Sequence, residues 1–511
     1  MDVQDALRLA DLLAALSLST DLAMGQPPEK AIRACVLATE MARHLDATEP
    51  EAACVYYTTL LKHLGCTATA HEESRLFGPD ELGMRAVAER TDETDLREMA
   101  ALARTFGRGA GVRRIGYLAR AATAGAEGKS IFRAICEVAT QMAERLRLGA
   151  DVGEALAQAI ERWDGKGAPR GIAGDAISFA ARIAEPATQA VIFHRLGGTE
   201  AALAMAERRS GGMFDPAAVE ALRVVGPVTL QRLDDDDPWV AVLDAEPQPV
   251  RRVEASRIRE VAEAFADMTD LKSTFTLGHS SQVAELAAGA AERLGLLDPE
   301  QVRVAALLHD LGRMAVSTGV WEKPGPLSTT EWEQVRLHAY QTERILVRSA
   351  ALEPLARVAA MHHERQDGSG YHRGASAAET PREARVVAAA DAYQAMTQRR
   401  PHRAAMSPDE AAGALSSDAG RFDPECVRAV LEAAGRSPPS ARATWPAGLT
   451  EREVEVLRLV ASGASNRGIA QALVISPRTA EHHVQHIYGK IGVSTRAAAA
   501  MFAMQHGLLR D

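Results

Sequence analysis

Apolar residues recur along most of the chain at the spacing of an amphipathic helix. Apolar positions lie three and four residues apart from Val302 to Leu308, and the pattern returns around Val283 to Ala287. Runs of β-branched and aromatic residues, which are typical of strands, are nearly absent. The pattern therefore predicts an all-α protein, and 511 residues leave room for about three domains.

Two stretches interrupt the helical pattern. Asp234 to Pro249 carries four consecutive aspartates and three prolines, and Arg436 to Pro446 contains Ser-Pro-Pro-Ser. Both compositions are typical of linkers. We therefore expect a helical domain over 1–230, a linker over 231–255, a second helical domain over 256–435, a linker over 436–446 and a third domain over 447–511.

Charge and cysteine content narrow the class of protein. The net charge of −10 excludes a chain that is basic throughout, so any nucleic-acid binding must be local. The five cysteines lack C-x-x-C spacing, which favours reduced thiols over a disulfide framework or a zinc cluster. The N-terminal segment lacks a basic stretch, and no apolar run reaches the length of a membrane span. We therefore expect a cytoplasmic protein that does not bind membranes.

An internal repeat relates the first and second predicted domains. Residues 161–171 align without a gap on residues 364–374, and both segments carry the pattern Glu-Arg-x-Asp-Gly. Further matches in the same order pair 60–65 with 307–312 and 214–216 with 422–424. The first domain is therefore expected to be a copy of the second.

The first copy lacks the residues that could bind a metal. A lysine repels a metal cation, and alanine and isoleucine offer no lone pair. We therefore expect this copy to be a non-catalytic sensor or dimerisation unit. The substitutions place Lys62 and His63 at the positions of His309 and Asp310, Ala159 and Ile160 at those of His362 and His363, and Thr188 at that of Asp391.

The second copy concentrates metal-ligating side chains. His309-Asp310 follows an apolar helix, and His362-His363 precedes the Glu-Arg-x-Asp-Gly loop. Neighbouring positions on a helix project about 100° apart, so each pair can reach different sides of one pocket. Imidazole with carboxylate ligation suits Mn, Fe, Ni or Zn, and two such cations can clamp a phosphoryl oxygen during hydrolysis. Further candidates are His279, His338 and Asp391 as ligands, with Asp310 as a bridging carboxylate and Arg313 and Lys323 as phosphate-binding groups.

Residues 260–435 resemble the HD-GYP branch of the HD phosphohydrolase superfamily. The resemblance implies hydrolysis of cyclic di-GMP, and Phe275, where some members carry a further glutamate, favours two metal ions over three. It rests on Gly278-His279-Ser280, His309-Asp310-Leu311-Gly312, Lys323 to Leu327, His338, His362 to Arg365 and Ala390-Asp391-Ala392. The implied ligands are His279, His309, Asp310, His338, His362, His363 and Asp391.

Three positions depart from the pattern of that family. Gly370-Tyr371-His372 stands where the family has Gly-Tyr-Pro, and Gln394 stands where a second aspartate is common. Arg313 replaces the usual lysine, and arginine keeps the charge but not the compact ammonium. These changes favour a domain that binds metal and senses a nucleotide or phosphoester over one that catalyses hydrolysis.

The C-terminal segment predicts short helices joined by tight turns. Thr450 and Glu453 form a capping box at the first helix, and Ser476 followed by Pro477 starts the third. One face of the third helix is apolar and the other polar, which is the layout of a recognition helix in the major groove. The apolar face carries Val484, Ile487 and Ile491, and the polar face carries Glu481, His482 and Gln485.

Residues 448–509 resemble the LuxR-type helix-turn-helix of bacterial transcription regulators, including Gly489 to Arg496. We therefore expect a LuxR/NarL-like four-helix domain that binds double-stranded DNA. From Pro446 onward seven Lys/Arg stand against five Asp/Glu, so this segment is weakly basic within an acidic chain. The resemblance implies base contacts from Glu481, His482 and Gln485, and phosphate contacts or positioning from Ser476, Arg478, Thr479, His483, Lys490 and Arg496.

The combined pattern predicts a DNA-binding transcriptional regulator whose HD domain binds metal and senses a nucleotide or phosphoester. The alternative is an active metal-dependent phosphodiesterase, for cyclic di-GMP or another phosphoester, that the helix-turn-helix domain controls or localises. We expect a homodimer in which the ligand changes how the HD domains pack and the segment 436–446 passes that change to the DNA-binding domain.

Overall fold

The computed structural model describes residues 6–254, 257–418, 420–435 and 445–509. The chain divides into two compact units, Met1–Arg257 and Ile258–Asp511. In the described part nearly all regular structure is helical, which confirms the all-α prediction. The predicted linker 436–446 lies outside the described residues except for its last two positions. None of the helices described is long and apolar enough to cross a membrane.

The first unit is a helical bundle with one small sheet. Its strands β1 (Ala6–Arg8) and β2 (Arg252–Glu254) pair antiparallel, with Leu7 opposite Val253. Its helices are α1 (Leu9–Ala23), α2 (Lys30–His44), α3 (Glu49–Leu60), α4 (Ala70–Phe77), α5 (Glu81–Ala88), α6 (Leu96–Ala103), α7 (Arg114–Thr123), α8 (Gly125–Arg145), α9 (Ala150–Ala157), α10 (Phe179–Arg209), α11 (Pro216–Asp235) and α12 (Pro238–Ala245).

The second unit carries the other helices, and α13 begins at the boundary between the units. The helices before the linker are α13 (Arg257–Asp270), α14 (His279–Arg293), α15 (Pro299–Leu308), α16 (Thr318–Trp321), α17 (Thr329–Leu346), α18 (Glu353–Ala360), α19 (Arg382–Thr397), α20 (Pro408–Ser417) and α21 (Pro424–Ala434). Those after it are α22 (Glu451–Ala461), α23 (Asn466–Leu473), α24 (Pro477–Ile491) and α25 (Arg496–Gln505).

The stretch 231–255, which the sequence indicates as a linker, is largely structured. It contains the end of α11, the whole of α12 and strand β2. Asp237 caps α12 by accepting the N–H of Trp239, and Pro238 follows at the first helical position. The Tyr56 hydroxyl donates to the carbonyl oxygen of Val242, which ties α12 to α3. Aspartate and proline are common in linkers, but they are also favoured at the first positions of helices, and here they start the packed helix α12.

The repeat extends to individual backbone contacts. The Asp21 carboxylate accepts the N–H of Ala31 at the start of α2, and the Asp270 carboxylate accepts the N–H of Ser280 at the start of α14. Each aspartate precedes the first residue of its helix by nine positions. Lys30 of the first unit therefore occupies the position that His279 has in the second.

Two matched glycines mark a second shared feature, a close crossing of two chain segments. A Cβ atom on Gly65 would lie 1.9 Å from the carbonyl oxygen of Ile135, and one on Gly312 would lie 1.8 Å from that of His338. Any side chain at either glycine would force the crossing elements apart. The crossing also shows that Ile135 is the first-unit counterpart of His338, a match that sequence spacing did not reveal.

Candidate metal centre and DNA-binding domain

Five helices of the second unit bring candidate metal ligands to one place. Helix α14 begins at His279, α15 ends just before His309, α17 carries His338, α18 ends two residues before His362, and α19 carries Asp391. All five side chains are buried. Burying so many polar groups is unfavourable unless they pair with one another or bind a cation. The cluster is therefore a candidate cation site.

Three histidines of the cluster are oriented alike. His309, His338 and His362 each place Nδ1 within hydrogen-bonding distance of the carbonyl oxygen three residues earlier. Because a carbonyl oxygen can only accept, Nδ1 carries the proton and Nε2 keeps its lone pair. Metal-ligating histidines are commonly held in this way, with the second nitrogen fixed by a backbone carbonyl.

The Nε2 lone pairs of these histidines face one another without a donor between them. Nε2 of His338 lies 3.1 Å from Nε2 of His362. Nε2 of His309 is buried and has no hydrogen-bond partner among the described residues. Facing lone pairs repel, and a buried unsatisfied acceptor costs about 1–3 kcal/mol. A cation would remove both penalties, so the residues present fit a bound metal.

The seven predicted ligands form three overlapping groups. In each group three ligand atoms lie within 4.8 Å of one another. His309 and His362 each belong to two groups, so the groups form one continuous centre. The groups are His279 with His309 and Asp391, His309 with Asp310 and His362, and His338 with His362 and His363. The structure thus brings together every residue that the sequence indicates as a ligand.

The electrostatics of the centre favour an ionised Asp310 and a neutral His362. Burial alone would raise the pKa of Asp310, but His309, Arg313 and His338 outweigh burial and hold that pKa well below its usual value. Burial, together with the neighbouring His309 and His338, lowers the pKa of His362 to about 3. These are the protonation states that metal ions require of their ligands.

The two cationic side chains predicted to meet phosphate have different surroundings. Arg313 donates to the Asp310 carboxylate at 2.9 Å, and its guanidinium lies 4.1 Å from the ring centroid of Trp321. Lys323 donates at 2.6 Å to Glu331, whose carboxylate also caps the start of α17. Arg313 is therefore hydrogen-bonded to a candidate metal ligand, whereas Lys323 is hydrogen-bonded to a residue in the first turn of α17.

Two residues that support the centre were not singled out from the sequence. Nδ1 of His279 lies 3.0 Å from Oε1 of Gln398. Asp270 accepts both the N–H and the hydroxyl of Ser280, the residue after His279. Such outer contacts orient a ligand. The matched spacing of Asp21 and Lys30 in the first copy is a signal that could have found Asp270.

A buried glutamate holds the loop that follows the histidine pair. Glu364 accepts the N–H of Arg373 at 2.7 Å and that of Ala375 at 2.8 Å. Glu161 accepts two N–H groups in the corresponding loop of the first unit, at 2.8 and 3.0 Å. Because both copies have this clamp and only one has the ligands, the clamp belongs to the scaffold.

Glu364→Gln is expected to lower the free energy of unfolding by about 1–3 kcal/mol. An amide is neutral and has one acceptor oxygen, so one backbone N–H of the loop loses its acceptor and the other keeps only an uncharged one. Thermal unfolding followed by circular dichroism measures the effect, with the exposed Glu333→Gln as the matched control. Equal unfolding temperatures for the two variants would contradict the clamp.

The loop also places Tyr371 and His372 near the centre. The Tyr371 ring centroid lies 4.6 Å from that of His363. Burial raises the pKa of Tyr371, so its hydroxyl stays protonated and can donate a hydrogen bond. Nε2 of His372, which stands at the proline position of the family pattern, lies 3.6 Å from a carboxylate oxygen of Glu343.

The first unit carries a network of ion pairs where the second unit has its candidate metal ligands. Nζ of Lys30 lies 2.6 Å from the Glu89 carboxylate and 3.2 Å from Nδ1 of His63. Lys62 pairs with Glu185. The ammonium groups of the buried Lys30 and the largely buried Lys62 therefore stand at the positions of two candidate metal ligands. A cation that belongs to the protein is unfavourable for metal binding, and the expectation that this copy binds no metal stays a prediction.

The C-terminal helices form a small domain with its own core. Val456, Leu457, Val460, Ile469 and Ile487 are fully buried in it. The side chains of Thr450 and Glu453 form the predicted capping box of α22. Side-chain oxygens also cap the next three helices, from Ser465 on α23, Ser476 on α24 and Thr495 on α25.

Helix α24 presents the predicted base-reading residues to solvent. Glu481, His482 and Gln485 are exposed on it, whereas Val484 and Ile487 are buried beneath. This separation leaves one face of the helix free for a DNA groove. Of the predicted phosphate-contacting residues, Ser476, Arg478 and Thr479 are exposed, and His483, Lys490 and Arg496 are half-buried.

Two of these cations also hold the domain together. Lys490 donates to Glu453 at 2.8 Å and to the carbonyl oxygen of Gly448. Arg496 donates at 2.7 Å to the carbonyl oxygens of Val460 and Ala464, at the end of α22. Both side chains therefore have intramolecular partners in the described structure, and a contribution to DNA binding stays a prediction.

Comparison with protein-family models establishes the class of the protein. The model of the HD domain matches residues 82–217 and 263–426, more than half of the chain. The chain belongs to the HD-domain family. The model of bacterial regulatory proteins of the luxR family matches residues 447–503. Both predicted resemblances are confirmed, and the first of the two HD matches falls within the degenerate copy.

Known HD-domain proteins are similar to this chain. The 3′3′-cGAMP-specific phosphodiesterase 3 of Vibrio cholerae is 32% identical over 439 residues, which cover 84% of this chain and 95% of that protein. The cyclic di-GMP phosphodiesterase of Thermotoga maritima is 35% identical over 178 residues, or 34% of this chain and 48% of that protein. A crystal structure of a cyclic GMP-AMP specific phosphodiesterase of V. cholerae has a TM-score of 0.58 and 28% identity, covering 85% of this chain and 99% of that one.

These HD-domain relatives change the balance between the two functional alternatives. The sequence favours a metal-binding sensor, because Arg313, Tyr371-His372 and Gln394 depart from the family pattern. The relatives are phosphodiesterases. The similarity to one of them covers 95% of that protein and 84% of this chain. The comparisons therefore favour the alternative, an HD domain that catalyses hydrolysis, over the sensor.

Proposed function

We propose that the second unit hydrolyses a phosphodiester bond of a cyclic dinucleotide in a metal-dependent reaction. The observation that carries this proposal is the continuous centre of seven imidazole and carboxylate candidate ligands, six of them buried. Its second support is the similarity to the 3′3′-cGAMP-specific phosphodiesterase of V. cholerae, which extends over 95% of that protein. The proposed substrates are 3′3′-cGAMP and cyclic di-GMP.

The proposed cofactors are two divalent transition-metal ions, Fe, Mn, Ni or Zn, held by the three groups of ligands. When bound, such ions supply Lewis-acid chemistry to a phosphoryl oxygen and to water. Arg313, attached to Asp310, would neutralise charge on the phosphate. Tyr371 would donate its protonated hydroxyl to a phosphate oxygen beside His363.

We further propose that the C-terminal domain binds double-stranded DNA through α24, with Glu481, His482 and Gln485 at the base edges. A helix whose polar face is exposed over a buried apolar face is suited to the major groove. The chain would act as a homodimer, because two helix-turn-helix domains are needed to read two half-sites. Hydrolysis and DNA binding would thus reside in separate parts of one chain.

Removing metal is expected to lower the rate of cyclic di-GMP hydrolysis by about 1,000-fold, since no other electrophile in the centre can replace the cations. The measurement is the rate of product formation by the full-length chain after chelation and again after addition of Fe²⁺ or Mn²⁺. Either ion is expected to restore the rate, whereas Ca²⁺, which prefers oxygen ligands, is not. A rate that chelation leaves unchanged would contradict the proposal.

A further inference from the structure

The first unit contains an open cavity of about 970 Å³ that the proposed function does not use. The end of α1, the start of α2, α5, α10 and α11 surround it. One wall is apolar and is formed by Val191, Ile192, Leu230 and Leu233, each of which is buried. This volume lies at the upper end of the range of small-molecule sites, about 300–1,000 Å³.

The corresponding space in the second unit is filled by its own chain. There the residues 398–407 connect α19 to α20. Gln398 of this connection contacts His279, and the Arg400 guanidinium lies 3.5 Å from the carbonyl oxygen of Phe275. The connection therefore covers the start of α14 and the residues before it.

In the first unit the connection is reduced to two glycines. Gly197 and Gly198 interrupt α10 with non-helical backbone angles, and the chain here is shorter than in the second copy. Lys30 and Gln26, the counterparts of His279 and Phe275, line the cavity. The shortened connection thus leaves open, in the copy without metal ligands, a space that the other copy fills.

Two arginines that line the cavity have side chains without a partner in the described part of the chain. Arg90 and Arg195 make no ion pair and no side-chain hydrogen bond with any residue described in the structure. Other charges at the cavity are already paired. Arg33 lies 3.2 Å from Asp234, and Lys30 donates to Glu89. Unpaired guanidinium groups beside an apolar wall suit a ligand that combines an oxyanion with an apolar ring, because the planar fork matches phosphate.

We propose that this cavity is a binding site for a nucleotide, with the phosphate on Arg90 and Arg195 and the base against the apolar wall of Val191, Ile192, Leu230 and Leu233. All lining residues belong to the first unit, so the site is distinct from the metal centre. The proposal does not require hydrolysis in the second unit. A mononucleotide and a cyclic dinucleotide share the chemistry that the site would recognise.

The test is isothermal titration calorimetry of the full-length His309→Ala/Asp310→Ala chain, whose damaged metal centre prevents turnover. GMP and cyclic di-GMP are titrated separately, which distinguishes the two kinds of nucleotide. At least one probe is expected to bind at one site per chain. Arg90→Gln/Arg195→Gln in this background is expected to weaken that binding by about 30-fold or more, since two charged hydrogen-bonding groups are lost.

The matched control is Arg208→Gln, an exposed arginine on α10 outside the cavity, which should bind like the parent. The exposed Arg195→Gln alone should give a smaller loss, and it guards against misfolding of the double variant. The site is refuted if neither probe binds the parent, or if the double variant binds as tightly as the Arg208→Gln control. Either refutation would leave the hydrolysis proposal standing, because hydrolysis is measured separately on the wild-type chain.

Discussion

His309→Ala/Asp310→Ala is expected to reduce cyclic dinucleotide hydrolysis by about 1,000-fold or more and to release metal from the protein. His309 contributes to two of the three ligand groups, and Asp310 joins His309 to His362 in one of them. Losing both residues breaks the continuity of the centre, and the residues of such a centre act as a unit. Metal content by plasma mass spectrometry and kcat/KM for cyclic di-GMP measure the two effects on the same samples.

The matched control for this variant is His402→Ala/Asp409→Ala, a pair of the same residue types that is exposed in the same unit. It should keep both the metal and the rate of the wild type. If the His309→Ala/Asp310→Ala chain hydrolyses the substrate at the control rate, the centre is not the site of the reaction.

Glu481→Ala/His482→Ala/Gln485→Ala is expected to abolish sequence preference in DNA binding while leaving non-specific binding nearly intact. Each good base contact is worth about 1–3 kcal/mol of discrimination, so three lost contacts reduce specific affinity by about 100-fold or more. All three side chains are exposed, so their removal should leave the buried core of the domain unchanged. The measurement is affinity for a selected operator and for random duplex at one salt concentration.

The exposed Glu455→Ala on α22 serves as the control for the triple variant, and it should retain the wild-type preference. An equal loss of affinity for operator and random duplex would contradict the assignment of α24 as the base-reading helix. It would place the three side chains at the phosphates instead.

The helices, the repeat and the seven candidate ligands could be predicted because each has a strong local signal. Histidine and aspartate are unusual on apolar helices, so His309-Asp310 and His362-His363 are distinctive in sequence. The caps of α22 and α24 follow from short fixed spacings such as Thr450 to Glu453. Candidate ligands and helix caps, which depend on residue types at fixed spacings, can therefore be predicted before the fold is known.

Features that depend on long-range packing could not be predicted in this way. Ile135 matches His338 only because each lies against a matched glycine, Gly65 in the first unit and Gly312 in the second, that is far from it in sequence. The acidic stretch before Pro238 has the composition of a linker, yet it starts a helix that packs on α3. A surface cation such as Arg496 looks available for DNA in the sequence, and only the structure shows its carbonyl partners in the same domain.

The rate at which the wild-type full-length chain converts 3′3′-cGAMP and cyclic di-GMP to linear dinucleotides tests the central claim most directly. The chain should be purified without oxygen and supplied with Fe²⁺ or Mn²⁺, and the products separated by chromatography. We predict metal-dependent hydrolysis of at least one of the two substrates. Bound metal without hydrolysis of either substrate would contradict the claim and would favour the sensor over the enzyme.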